Sequence, residues 1–509
     1  MLTLINPPGL KTFSGLNMHT PNPPLGLAYV AGEVRKSGFD LSVIDAVGED
    51  LDRIKPYKAR GDLMVQGLSV AEIVSRLHPS TDIVGIACTF STFWPLAREV
   101  AATIREKHPG MRIVLGGEHG TAVPESVLRS SEVDIIVLGE GEETFVRLLR
   151  ALSTHTPISS IKGIAFIDNG AFWSTGLSVR SRAIDEIALP AWDLFPLENY
   201  IDRHQINGMN IGRSMPLLAT RGCPYQCTFC SSPQMWTTRY IPRDPILVVD
   251  EIQHHMERYN VTNFDFQDLT AVVKRSWVIK FCNELIHRDL SITWQMPSGT
   301  RSEIMDEEVL DLLYRSGCRA LAFAPESGSL KILGEVKKRV DLEHIEQAVS
   351  LAVQRQLKVS CFFVIGFPSE TPFTLKQTGR FIRKMAKIGA HDISVSKFIP
   401  YPGSELFLDL QRSGRIELND RFFISPIDFY NRDAECYSEH VSARRLYWTM
   451  IIMYSSFYLT SFMFHPIRTL RTIYHAIFFQ VEEARFAKWL VDRLYVRRKW
   501  KLRSSSSSL

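Results

Sequence analysis

The sequence predicts an α/β protein: an N-terminal doubly wound, Rossmann-like parallel sheet, then a partial (β/α)6 barrel, then a helical C-terminal region. Three observations carry that prediction. Runs that are apolar and β-branched throughout alternate with helix-period segments over residues 1–170, as expected of parallel strands covered on both faces. After an irregular stretch the same alternation returns over residues 216–410. Residues 411–509 lose it and carry a long apolar segment and a basic run.

In the first domain the strand runs are LTLI, LSVID, DIVGIA, RIVLGG and DIIVLGEG; Leu25–Lys36, Ala71–Leu77 and Pro95–Lys107 have helical periodicity. A sheet of this kind takes its ligand at the carboxyl ends of its strands. Residues 171–215, with LPAWDLFPLENY, are expected to form a linker packed across both domains. The barrel strands are PLLAT, VTNFDF, SITWQM, RALAF, KVSCFFVIG and HDISVSKF, six units where a full barrel needs eight. Further on, Tyr447–Phe464 runs for 18 residues without a formal charge, which makes it a candidate membrane span. Its five Ser and Thr residues, and Pro466 just beyond, weigh against a span. Between Arg485 and Arg503, eight basic residues stand against one acid, Asp492. Two readings stay open: a helical cap on the barrel with a solvated basic end, or docking on an anionic membrane surface. The SSSSSL tail has the composition of a disordered end.

At 509 residues two or three domains are expected, and 45% apolar with 22% charged residues is ordinary globular composition. A net charge of +4 is too small at this length to argue for a nucleic-acid partner. Eight cysteines are too few for a disulfide framework. Cys88, Cys282, Cys318, Cys361 and Cys436 lie among apolar residues and read as small buried hydrophobes. MLTLINPPGL has no charged n-region, long apolar run or small-residue cleavage site. The expectation is a reducing, cytoplasmic setting, with membrane contact only through the C-terminal region.

The other three cysteines, Cys223, Cys227 and Cys230, fall within eight residues in ATRGCPYQCTFCSSP, directly after the first barrel strand. Thiolates so spaced let one loop wrap an iron–sulfur cube and leave one iron without a protein ligand. That open corner is functional in the sense of the open position of a catalytic metal site. A zinc site would want a fourth Cys or His, and His204, the nearest upstream histidine, has no ligand-like context. An electron-transfer cluster would want a fourth cysteine.

With these cysteines the barrel segment resembles the radical S-adenosylmethionine superfamily. The resemblance implies a [4Fe–4S] cluster on Cys223, Cys227 and Cys230, with S-adenosylmethionine chelated to the free iron. It implies an external electron donor of flavodoxin or ferredoxin type, whose electron breaks the S–C5′ bond to give a 5′-deoxyadenosyl radical. It also implies cofactor contacts. Phe229 would pack near the adenine, and Arg301 in SGTRSE would pair with the methionyl carboxylate. Glu326 and Ser327 in APESGS would meet the ribose or amino end, and Gly366, with Pro368, would form the adenine-binding turn of VIGFPSET. All fall at strand carboxyl ends, the functional face of such a barrel. One departure is plain: FDFQDLT replaces the GGE-type signature after the second strand, which leaves Asp268 to bind the amino group.

The N-terminal domain resembles the cobalamin-binding domain fused ahead of such barrels, through INPP, DIVGIACTFSTFWP, RIVLGGEHGTAVPE and VLGEGEETF. The resemblance implies cobalamin contacts from Thr89, Ser91, Gly116, Gly117, Glu118, Gly139 and Gly141, with His119 at the corrin edge or in a structural role. Glycines at strand ends let the backbone approach a large flat ligand. No GxGxxG is present, so a dinucleotide is not supported. Many corrinoid proteins place a histidine in D-x-H-x-x-G after the first strand; NPPGLKTFSGLN stands there instead, so cobalt is expected to receive no histidine from this loop.

The two-domain layout resembles the anaerobic Mg-protoporphyrin monomethyl ester cyclase, the hopanoid methylases and natural-product methyltransferases. It implies methylation of an unactivated carbon of a hydrophobic or natural-product small molecule lying between the domains. The alternative is a radical oxidative cyclisation or rearrangement. A third reading, a cobalamin- and cluster-binding protein without turnover, would not need APESGS or VIGFPSET. The apolar, basic C-terminal region tilts the substrate towards a lipid-like or polycyclic one. No catalytic acid, base or hydrogen donor is assigned.

Overall fold

The computed structural model describes residues 1–12, 21–178, 180, 183–205, 207–432, 434–479, 484–491 and 494. Its first sheet has seven strands, in the order Leu41–Asp45, Leu2–Asn6, Ile83–Ala87, Arg112–Gly116, Ile135–Val137, Ile164–Asp168 and Ala171–Ser174. The first five are parallel. Successive residues of the central strand feed opposite cores: Leu4 joins Ala28, Ala31 and Leu148 on one face, Ile5 joins Trp94, Ala97 and Val100 on the other. Strand order reverses between Leu2–Asn6 and Ile83–Ala87, and that switch point opens the crevice at the carboxyl edge.

The sheet runs past the expected domain boundary at residue 170. Asn169 and Gly170 both take positive φ and turn the chain back, so the last two strands form an antiparallel hairpin on the sheet's edge. A second unforeseen feature is a three-stranded antiparallel sheet of Gly9–Thr12, Ile54–Pro56 and Leu63–Gln66. The segment 183–205 buries Trp192, Leu197, Tyr200 and Ile201. The Tyr200 hydroxyl donates to buried Asp45 at 2.9 Å, which fastens this segment to the end of an N-terminal strand.

The second domain is a six-stranded parallel sheet in chain order: Ser214–Leu217, Asn263–Phe266, Thr293–Thr300, Cys318–Glu326, Lys358–Ile365 and Asp392–Lys397. Six strands leave the barrel open, so the last strand is a free edge that needs covering. The helix Ala443–Phe464 covers it. The Tyr454 hydroxyl accepts from Val395 N at 2.8 Å and donates to Val395 O at 3.3 Å, and Tyr458 donates to Asp392 at 2.7 Å. Leu446, Met450, Met453 and Phe457 are buried beneath the helix. The candidate span is therefore a cap on the barrel, and among the described residues no helix is long and apolar enough to cross a membrane. Cys88, Cys282, Cys318 and Cys361 are buried; Cys436 is half-buried and donates to Val441 O. The basic run from Arg493, the SSSSSL tail and residues 13–20 of the loop after the first strand lie outside the described residues.

Asp265 is sealed inside the barrel, where Asn263 Nδ2 and Gln295 Nε2 donate to its Oδ1 at 2.9 and 2.6 Å. Burial pushes it up to about 7. Between the unfolded value near 4 and about 7, the folded chain holds a proton that the unfolded chain has released, so stability falls as pH rises through that window. Asp265→Asn, which can accept both bonds without a charge, is expected to raise stability by about 1–4 kcal/mol at pH 8 and to change little at pH 4. Denaturation midpoints at the two pH values check this.

Candidate functional site

The first barrel strand ends at Leu217, and the chain turns through residues 219–221 into the cysteine loop. Buried Asp268 holds that entry: it accepts from Ala219 N at 3.2 Å and from Thr220 Oγ1 at 2.6 Å, and also from Thr220 N. Burial pushes its carboxyl up to about 6 against the pull of these bonds. Both oxygens serve the loop. The acid after the second strand thus positions the entry to the cysteine loop.

Two distant segments strap the loop. Thr228 N donates to Val336 O at 3.1 Å, and Leu406 N donates to Thr228 O at 2.9 Å. The three thiols are free and half-buried. Burial raises all three, Cys227 to about 11, while Lys338 pulls Cys223 and Cys227 down and Arg301 pulls on Cys223. Among the described residues no three His, Cys, Asp or Glu side chains converge as ligands of a single ion. A cluster that takes one thiolate per iron asks only that the three surround it.

At the other strand ends, Glu326 is held at φ 63°, a left-handed conformation uncommon outside glycine, and pairs with buried Lys338 at 2.9 Å. Burial alone would lower the Lys338 ammonium, but Glu326 and Cys227 hold it above its ordinary value. The Arg301 guanidinium lies 3.7 Å over the ring of Tyr225, inside the cysteine loop, and also bonds Glu303 and Arg339 O. Phe229 stands 5.5 Å from Phe367, which stands 5.2 Å from Phe398. The Ser327 hydroxyl is fully buried, meets Thr378 Oγ1 at 3.0 Å and accepts from Ser329 N, so it serves the turn. Gly366 has φ 89°, a left-handed conformation that itself requires glycine, and a Cβ there would also stand 2.6 Å from the Leu446 Cδ1 tip of the capping helix.

The carboxyl edge of the first sheet faces this loop. Ser231, next to Cys230, donates to Glu118, whose carboxyl is raised by burial. Space is open where a Gly116 Cβ would project, whereas one on Gly117 would meet Cys88 O at 2.5 Å. Thr89 and Phe90 are exposed at the switch point. The His119 ring meets Ser91 Oγ through Nδ1 at 2.9 Å and packs between Trp94 and Phe423, each 4.9 Å away. Burial lowers it to about 3, so it is a neutral ring that fixes Ser91. A Cβ on Gly139 would stand 3.5 Å from Leu177 and one on Gly141 3.3 Å from Val30.

Four side chains that the sequence reading missed form the seam between the domains. Arg221 Nη2 meets Glu142 Oε1 at 2.6 Å and Arg180 Nε meets Glu140 Oε1 at 3.1 Å, with every partner less than one-tenth exposed. Arg180 also donates to Trp236 O at 2.7 Å, beyond the cysteines. Their signal was Glu140 and Glu142, two of the three acids in the glycine-bearing GEGEET, and an arginine two residues before the first loop cysteine.

The residues fit the implied cofactors. Three free thiols on a strapped loop beside two cations are the donor set of a [4Fe–4S] cluster. The open face at Gly116, with Thr89 and Phe90, leaves a flat ligand access to the switch point. Replacing any one of Cys223, Cys227 or Cys230 with Ala is expected to reduce iron from about four per anaerobically reconstituted chain to well below that; iron assay with absorbance spectra reads this. In the seam, Glu142→Gln strands the buried Arg221 charge and is expected to cost about 3–5 kcal/mol. The pair Arg221→Leu with Glu142→Leu should cost less, by denaturation monitored with circular dichroism.

Comparison with known proteins agrees with this architecture. Residues 14–149 match the B12 binding domain, and residues 217–382 match the radical SAM superfamily. An uncharacterised methyltransferase of Pyrococcus horikoshii is 30% identical over 76% of this chain and 78% of its own length. The anaerobic magnesium-protoporphyrin IX monomethyl ester cyclase of Rubrivivax gelatinosus is 29% identical, over 80% of this chain and 69% of its own. Among solved structures, the radical S-adenosylmethionine methyltransferase TsrM of Kitasatospora setae, with cobalamin and a [4Fe–4S] cluster bound, superposes with a TM-score of 0.64 at 16% identity, covering 89% of this chain and 90% of that one. The fold is therefore shared, and the chain belongs to the cobalamin-dependent radical S-adenosylmethionine enzymes.

Proposed function

We propose that this enzyme methylates an unactivated carbon of a hydrophobic small molecule held between its two domains. The observation that carries the reading is the Ser231–Glu118 contact, which joins the residue after Cys230 to the carboxyl edge of the B12-binding sheet. When bound, the cluster passes an electron to S-adenosylmethionine, and the corrinoid supplies a transferable methyl group. Cys223, Cys227 and Cys230 would hold the cluster, with Asp268 fixing the entry of their loop. The Glu326–Lys338 pair and Arg301 offer both signs of charge to the amino-acid end of S-adenosylmethionine. Phe229 offers a ring face to its adenine. Ser91, oriented by His119, and the open backbone at Gly116 would meet the corrin. The buried Arg–Glu seam would hold the two cofactor faces at fixed separation, so that one substrate carbon could meet both.

The relative named as a methyltransferase supports methyl transfer. The cyclase, at nearly equal identity, supports oxidative ring closure as a second reading. A flavodoxin- or ferredoxin-type protein is the proposed electron donor, and peripheral membrane contact through the C-terminal region would bring a lipid-like substrate within reach. Anaerobic turnover with methyl-labelled S-adenosylmethionine separates the readings. Methylation gives a product heavier by one methylene that carries the label. Ring closure gives an unlabelled product that has lost a pair of hydrogens.

A further inference from the structure

The capping helix Ala443–Phe464 has two faces with different fates. One is buried on the barrel. The other presents Ile452, Leu459 and Met463, each more than half exposed and spaced along one side of the helix. The next helix, Pro466–Phe479, does the same with Ile467, Leu470 and Phe478. Isolated exposed apolar residues are ordinary, but consecutive helices each carrying a stripe of large ones mark an interaction surface.

Charge identifies the partner. Residues 443–479 contain no acid, and Arg444, Arg445 and Arg471 are exposed among the apolar side chains. Over residues 443–503 the sequence has twelve Lys and Arg against three Asp and Glu. The rest of the chain, with 47 basic against 52 acidic residues, is net negative. Four of these basic residues, Arg444, Arg445, Arg468 and Arg471, stand in the acid-free stretch 443–479 that exposes the apolar stripes, and the other eight follow it in sequence. A second copy docked face to face through the same helices would bring like charges together, and a nucleic acid would leave the apolar side chains in water. An anionic bilayer satisfies both: acyl chains take the stripes and headgroups take the arginines.

We propose that the outer faces of helices 443–464 and 466–479 form a docking surface for anionic membranes, lying in the interface without crossing it. This deepens the peripheral contact proposed above and is independent of methyl transfer, because its test needs no turnover. The full-length protein is floated with vesicles of phosphatidylcholine alone and of phosphatidylcholine with phosphatidylglycerol. Recovery with the phosphatidylglycerol vesicles is expected, falling at least tenfold in high salt and in the surface variant Ile467→Asp/Phe478→Asp. Arg444→Glu/Arg445→Glu is expected to weaken binding in the same direction, and circular dichroism and iron content of both variants should match the parent. No flotation, equal recovery with both vesicles, or recovery unchanged in both variants would overturn the proposal. So would a dimer in sedimentation that the surface variant abolishes while vesicle binding persists.

Discussion

The whole arrangement depends on a seam of buried charge. Arg221 and Arg180 come from the cysteine loop and the segment before it; Glu142 and Glu140 come from the carboxyl end of a strand in the first sheet. Neither half could keep its ions dry alone, because an isolated buried charge costs several kcal/mol. Together they make the domains one body at the edge where each sheet presents its chemistry. An ionic seam of this kind adds little net stability over an apolar one. It does specify one register between the partners, which greasy contact would leave free to slide.

A second theme is that strand ends here perform structural work with residues that look like cofactor ligands. Asp268 carries the loop backbone, Ser327 carries its own turn, and Gly366 turns the chain at φ 89°. The common cause is the open barrel. Missing two strands, it leaves loops and one edge to be held by side chains and by a later helix, and polar residues at carboxyl ends are the nearest available. The groups that remain placed towards the cysteines are Glu326, Lys338, Arg301 and Phe229.

Much of this was legible in the sequence because the relevant signals are local. Apolar runs of strand length gave both parallel sheets, and thiol spacing alone singled out the cysteine loop. The hairpin of Ile164–Ser174 is equally local, signalled by Asn169–Gly170, but it straddles the expected boundary between the first domain and the linker. What could not be read was long-range. Tyr454 caps Val395 from 59 residues away, and Arg221 meets Glu142 from 79 away, and no periodicity encodes such pairings. The capping helix misled for a physical reason: one face is buried on protein and the other is exposed and apolar, so all round it has the composition of a span.

The straps on the cysteine loop have a consequence for biosynthesis. Thr228 is bonded by Val336 and by Leu406, and Ser231 by Glu118. During translation the cysteines emerge when the B12-binding sheet is complete but while both straps are still unmade. For more than a hundred residues of synthesis the thiols hang on a loop secured from one side only. Iron delivered in that interval would meet an ill-defined site, whereas a cell that loads the cluster after release meets a finished one. The topology thus places two fastenings of the thiol loop, at Val336 and Leu406, well after the cysteines in the order of synthesis.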